Sequence, residues 1–180
     1  MEVIEADLKI AARAIKNGKV LACPTDTVYG LICSLRSRKA IAKIFSIKKR
    51  PKNKPFPVFV GSLRVAEELA VINEAQKRFL SKVWPGGTTV ILKAKKGGTI
   101  GLRMPHSGFL LSLMKKTGPL IETSANLSGS SPALSAEDVL MQFMDYKNQP
   151  DIIIDGGKLK TSKPSRVIDL TKNEPIILRK

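Results

Sequence analysis

Histidine and tryptophan each occur once in the 180 residues, cysteine twice, and aromatic residues make up only 5% of the chain. A single histidine, His106, excludes a multi-histidine metal site. A Ser-His-Asp triad would have to be built on it, and no GxSxG elbow accompanies it. Two cysteines, Cys23 and Cys33, exclude a cysteine-rich zinc module and a disulfide-stapled scaffold, which fits a reduced, cytoplasmic setting. Few aromatics argue against an RRM-style stacking platform. No apolar run approaches the ~20 residues needed to cross a bilayer. The opening, with Glu2, Glu5 and Asp7, lacks the basic-then-apolar order of a signal peptide. Neither GxxxxGK[ST] nor GxGxxG occurs, so a nucleotide would be held by another device. Acids are also scarce, 15 against 31 bases for a net charge of +16, which points to an anionic partner: nucleotide, RNA or membrane phosphate.

What is present is a chain of one-domain length with 43% hydrophobic residues, enough to close a core over residues 1–180. Leu8, Ala11, Ala12 and Ile15 recur at helical spacing and predict a helix over 7–17, stopped by Asn17-Gly18. A strand over 19–23 and a loop over 24–30, PTDTVYG, follow. A second helix runs from Ser37 to about Lys48, where Pro51 disfavours further helix. Residues 56–60 read as a strand and Ser62 caps a helix. Asn73 with Gln76, and Ser135 with Asp138, form capping boxes for two more. Further strands are expected over 88–92, 100–103, 119–123, 152–154, 167–170 and 176–178, with an apolar helix over 109–114. Residues 156–165 read as a mobile surface loop. Strands and helices interleave without an internal repeat, which argues for an α/β or α+β domain with a mixed sheet.

Three segments could carry chemistry. Residues 36–54 hold nine bases and no acid, a run that reads either as a solvated face or as an anion site. If Pro51 extends the chain, Lys48 and Arg50 project to one side as a polyphosphate clamp. IETSANLSG, residues 121–129, runs from a strand into Thr123, Ser124, Asn126, Ser128 and Gly129, either a polar turn or a cradle for phosphate or carboxylate oxygens. PTDTVYG offers Thr25, Asp26, Thr27 and Tyr29, for a small polar ligand or for the loop's own backbone; Asp26 is a candidate proton acceptor on the same terms. Arg103, Ser165 and Arg179 are uninformative in isolation.

Taken in order, PTDTVYG, IKKRP, WPGGTTVIL, GLRMP, ETSANLSG, SRVIDL and ILR resemble the YrdC/Sua5 family of threonylcarbamoyl-AMP synthases, from about residue 10 to 179. Seven motifs in register are far more specific than any one. The resemblance implies a twisted mixed sheet flanked by helices with a large basic cavity, in the short YrdC (TsaC) form without the extra C-terminal domain of Sua5. It implies an ATP-dependent nucleotidyl transfer, in which L-threonine, bicarbonate or CO2, and ATP give threonylcarbamoyl-AMP and pyrophosphate. A partner transferase then modifies tRNAs that read ANN codons. Lys48 and Arg50 with Ser124 and Asn126 match the family's KxR…SxN set and would act on the ATP phosphates and the adenylate. Thr27, Arg103 and Thr123 would hold threonine. Thr89, Ser165 and Arg179 would complete the nucleotide and substrate pocket, and Mg2+ would bridge the triphosphate with no metal site of the protein's own. Two positions depart from the pattern: Lys54 and Phe56 in RPKNKPF, and Arg166 in place of the threonine of a Ser-Thr pair. The HypF proteins carry a related domain, but their acylphosphatase and zinc-finger regions do not fit a two-cysteine chain of this length. The competing expectation is a basic RNA-binding module that grips tRNA or rRNA without catalysis.

Overall fold

The computed structural model describes residues 1–51, 53–160, 164–172 and 174–180, and its eleven strands join one mixed sheet. In chain order these are β1 (Glu2–Glu5), β2 (Leu21–Cys23), β3 (Gly30–Ser34), β4 (Val58–Phe59), β5 (Ala70–Val71), β6 (Thr88–Ala94), β7 (Thr99–Arg103), β8 (Leu120–Ser124), β9 (Ile152–Asp155), β10 (Arg166–Asp169) and β11 (Ile176–Arg179). Across the sheet they run β1-β9-β2-β3-β8-β4-β7-β6-β10-β11, with β5 paired to β6. The helices are α1 (Leu8–Lys16), α2 (Arg38–Lys48), α3 (Leu63–Leu69), α4 (Glu74–Val83), α5 (Gly108–Thr117) and α6 (Ala136–Phe143).

Period-two alternation sorts the strand residues onto two faces. Ala22, Leu31, Cys33, Val58, Leu102 and Ile121 join one apolar cluster with residues of α2, α3, α4 and α6. Leu21, Cys23, Ile32, Phe59 and Leu120 join another, closed by Ala11 and Ile15 of α1 and by Leu110 and Leu113 of α5. On this second face the apolar cluster stops at β4. Farther along, Ile91 of β6, Gly101 of β7 and Val167 of β10 line a cavity instead. That change of cover is what positions the site.

Most expected elements form. Both capping boxes are present, and Asp7, Ser37 and Ser62 each accept the helix-start amides. Four expectations need correction. β1, β3 and β5 were not foreseen: they are two to five residues long and owe their form to partners distant in sequence, as where β1 pairs with β9. The strands expected from 19 and 56 shorten to Leu21–Cys23 and Val58–Phe59. Lys48 and Arg50 do not share one side of an extended segment, because Lys48 ends α2 and Lys49 is left-handed at φ 46°. Finally, the described parts of 156–165 are tied down rather than loose. The Tyr29 hydroxyl donates to the Gly157 carbonyl at 2.8 Å, Leu159 N donates to Leu134 O at 2.7 Å, and Ser165 is buried. Residues 161–163 of that segment lie outside the described residues.

Candidate active site

The cavity encloses about 550 Å3 over the uncovered half of the second sheet face. Alternating residues of three strands form its floor: Thr89 and Ile91 of β6, Gly101 and Arg103 of β7, Glu122 and Ser124 of β8. Lys48, Arg50 and Lys54 enter from the end of α2 and the loop beyond it, Thr27 from the PTDTVYG loop, Ser165 from the position just before β10, and Arg179 from β11. Five cationic side chains thus surround one carboxylate.

Lys48 is 8% exposed, and its ammonium is seated by three oxygens: Ser124 O at 3.0 Å, Asn126 O at 2.6 Å and Asn126 Oδ1 at 2.9 Å. Asn126 Oδ1 also accepts the Ser124 hydroxyl at 2.6 Å, while Asn126 Nδ2 donates to Ser130 O at 2.6 Å. The Ser128 hydroxyl closes the ring by donating to Lys48 O. The seat orients the ammonium without neutralising it. Burial first, and the neighbouring Arg50 charge second, pull its pKa down to about 8.

Arg50 follows a different pattern. It is exposed, lies over the Phe56 ring at 4.8 Å, and donates to the carbonyls of Lys54 at 2.7 Å and Pro55 at 3.2 Å. Its position comes from its own loop, so it reaches the same cavity as Lys48 by another route. RPKNKPF therefore shapes the arginine through two carbonyls and one ring, which is a role for Phe56 that sequence reasoning left open.

Arg103 is 1% exposed. Nε donates to Gly86 O at 3.1 Å, Nη2 pairs with Asp26 and reaches Thr27 Oγ1 at 3.2 Å, and the guanidinium lies 5.4 Å from the Phe59 ring. Nη1 makes no protein hydrogen bond among the described residues, which leaves a donor edge for a ligand. Asp26 is not an available base: one oxygen takes Arg103 and the other takes the His106 amide at 3.0 Å. Thr25 accepts Thr27 N at 3.0 Å and donates to Val28 O at 2.7 Å, so it holds the loop rather than a ligand. On the far wall the hydroxyls of Thr89 and Ser165 are 3.0 Å apart, and Arg179 donates to Ser165 O at 2.9 Å and Oγ at 3.1 Å.

The structure therefore brings Thr27, Lys48, Arg50, Thr89, Arg103, Thr123, Ser124, Ser165 and Arg179 to one cavity, and Asn126 stands behind Lys48 as its seat. The sequence reading passed over Glu122. Its signal was an acid within a strand, between Ile121 and Thr123.

The family model Sua5/YciO/YrdC, described as "Telomere recombination", matches residues 13–180. The chain belongs to the Sua5/YciO/YrdC family. It is 34% identical over 179 residues to a Methanocaldococcus jannaschii protein that carries the threonylcarbamoyl-AMP synthase name, covering 96% of this chain and 84% of that one. It is 35% identical to the threonylcarbamoyl-AMP synthase of Pyrococcus abyssi, covering 97% of this chain and 54% of that protein. Against solved structures it overlays P. abyssi Sua5 complexed with L-threonine at a TM-score of 0.88 and 32% identity, over 99% of this chain and 56% of that one. It overlays Escherichia coli YciO at 0.86 and 28%, over 99% and 94%. The chain thus spans about half the length of the two Pyrococcus relatives and most of the other two. These overlays bear out the expected twisted mixed sheet flanked by helices.

Within this Sua5/YciO/YrdC frame the two cysteines are inert. Both are free and buried; burial pushes the Cys33 thiol up to about 12 and Cys23 in the same direction. Among the described residues no group of three His, Cys, Asp or Glu side chains could hold a metal, and no helix is long and apolar enough to cross a membrane.

Proposed function

We propose that the protein is a threonylcarbamoyl-AMP synthase, which converts L-threonine, bicarbonate or CO2, and ATP to threonylcarbamoyl-AMP and pyrophosphate. One observation carries the reading: a single cavity holds four oriented cations, Lys48, Arg50, Arg103 and Arg179, with no histidine or reactive cysteine among its walls. Such a site suits a reaction in which the substrates supply their own nucleophile and the protein supplies position and charge.

In this reading the threonine amine captures the carbon of bicarbonate or CO2, and a carbamate oxygen then attacks the α-phosphorus of ATP. The bond to the pyrophosphate oxygen breaks, and negative charge grows on the phosphates. Lys48, held in place by Ser124 and Asn126, with Arg50 and Arg179, neutralises that charge without moving. Arg103 offers its free Nη1 edge to the threonine carboxylate, with Thr27 and Thr123 beside it, and Thr89 and Ser165 shape the far wall. In this reading Mg2+ enters with ATP as part of the substrate. The product passes to a cytoplasmic transferase that acts on tRNA, and a net charge of +16 suits delivery to that partner.

Pyrophosphate release from Mg-ATP by the purified protein tests this, with L-threonine and bicarbonate each present or omitted and serine as a control. Release that needs both reactants is expected. No release from folded protein that binds RNA with a steep salt dependence would overturn it in favour of the RNA-binding module.

A further inference from the structure

Among the described residues Glu122 is the one carboxylate that lines the cavity. It is 8% exposed on β8, which pairs with β3 on one side and β4 on the other. Among the described residues no hydrogen bond or ion pair reaches its carboxylate. Among the described residues no side-chain nitrogen or oxygen sealed from solvent lacks a partner, so the unpartnered Glu122 oxygens open onto the cavity that the residue lines.

The charged and titratable groups around it are Arg103 of β7, Arg179 of β11, Lys48 of α2, Asp26 in the loop after β2, and Cys23 of β2. The three cations bond to other groups: Arg103 through Nε and Nη2 to Gly86, Asp26 and Thr27, with its Nη1 edge left open, Arg179 to Ser165, and Lys48 to Ser124 and Asn126. Cys23 stays a neutral thiol. A buried carboxylate without donors is costly, and a structural one would have found partners in the fold. ATP and bicarbonate present only negative charge at the reacting centre. An α-amino acid is a zwitterion, and Arg103 beside Glu122 offers opposite charges to its two ends.

We propose that Glu122 receives the ammonium group of the amino-acid substrate and takes the proton released when that amine becomes a carbamate. The inference rests on the synthase reading above. In the step, R–NH3+ and HCO3− give R–NH–COO−, water and one proton. The N–C bond forms, the C–OH bond of bicarbonate breaks with loss of water, and the proton passes to a Glu122 carboxylate oxygen. The neutral acid then leaves the carbamate unopposed as it approaches the α-phosphorus, and it loses its proton to solvent after product departs. Burial raises the Glu122 pKa against the pull of Arg103, Arg179 and Lys48, the direction a proton acceptor needs.

Glu122→Gln keeps the shape and removes the charge. We expect it to melt no lower than the wild type, because an unpaired buried charge is gone. It should lose about 100-fold in kcat/KM for threonine, with KM for ATP unchanged. The acid limb of the wild-type pH profile, where Glu122 is protonated and cannot accept, should flatten. By calorimetry the wild type should bind L-threonine more tightly than 3-hydroxybutyrate, which lacks the ammonium, and the variant should bind the two alike. A variant with wild-type kcat/KM and the same acid limb, or one that keeps the preference for threonine, overturns the proposal. Should Glu122→Gln fail to fold, Glu122→Asp decides by the same two readouts: a full acid limb with undiminished kcat/KM overturns the proposal, and reduced kcat/KM with a weakened threonine preference supports it. Wild-type protein that releases no pyrophosphate fails the synthase reading and takes the proton-transfer step with it, while the calorimetric preference still decides the ammonium site.

Discussion

The two regions of the cavity that meet at β8 are built on opposite terms. Around Lys48 every donor has an acceptor: three oxygens seat the ammonium, and Asn126 is itself fixed from both ends. Two residues earlier in the chain from Ser124, the Glu122 carboxylate has no donor at all among the described residues. The anchored region is complete before any ligand arrives, so it holds phosphates at no cost in rearrangement. The open region is completed by the ligand, which makes it a place of selection.

The severest way to break this contrast is to remove the anchored cation. Lys48→Met keeps the length of the side chain and leaves Asn126 Oδ1 and two carbonyls short of a donor. Pyrophosphate release should fall by about 1,000-fold, and a variant that turns over normally would remove the anchored region from the machinery. Arg103→Lys is the next test. A lysine cannot reach Asp26, Thr27 and Gly86 and still offer a free edge, so KM for threonine should rise about 10- to 100-fold while KM for ATP holds; steady-state kinetics with each substrate varied separate the two.

A pH titration sharpens the contrast. The folded Lys48 pKa is lowered to about 8, so the free protein surrenders this proton as pH climbs through that value. A polyanion needs the charged form, and Mg-ATP affinity should weaken above pH ~8 by up to tenfold per unit, with proton uptake on binding. Calorimetry in buffers of differing ionisation heat reads both, and Lys48→Met should show neither. A smaller effect belongs to Arg50, which is exposed and screened. Arg50→Ala should raise KM for ATP about tenfold, and less at high salt. The smallest lies outside the cavity: Ser135→Ala breaks a capping box on α6 and should cost about 1 kcal/mol in urea denaturation with kcat/KM unchanged.

Helices with their own caps were legible because each signal is local: Asn73 and Gln76 satisfy one another across a single turn. β1 and β3 were not, since four or five residues acquire strand form only from a partner such as β9 or β8. The motif residues were legible as a set, yet their roles at atomic level were not. Lys48 and Arg50 were expected to converge through extended geometry; a left-handed Lys49 separates them, and one is seated by Asn126 while the other is held by Lys54 and Pro55. Asp26 was expected as a possible base and is consumed by Arg103 and the His106 amide.

Composition and motif order, which are properties of the chain itself, determined that this is a basic α/β protein of the Sua5/YciO/YrdC family with a single histidine and two cysteines to work with. Only the tertiary structure decided which charges are already paired. Pairing depends on atoms brought within about 3 Å of one another from distant parts of the chain, and it left the buried Glu122 carboxylate facing the cavity with no partner among the described residues.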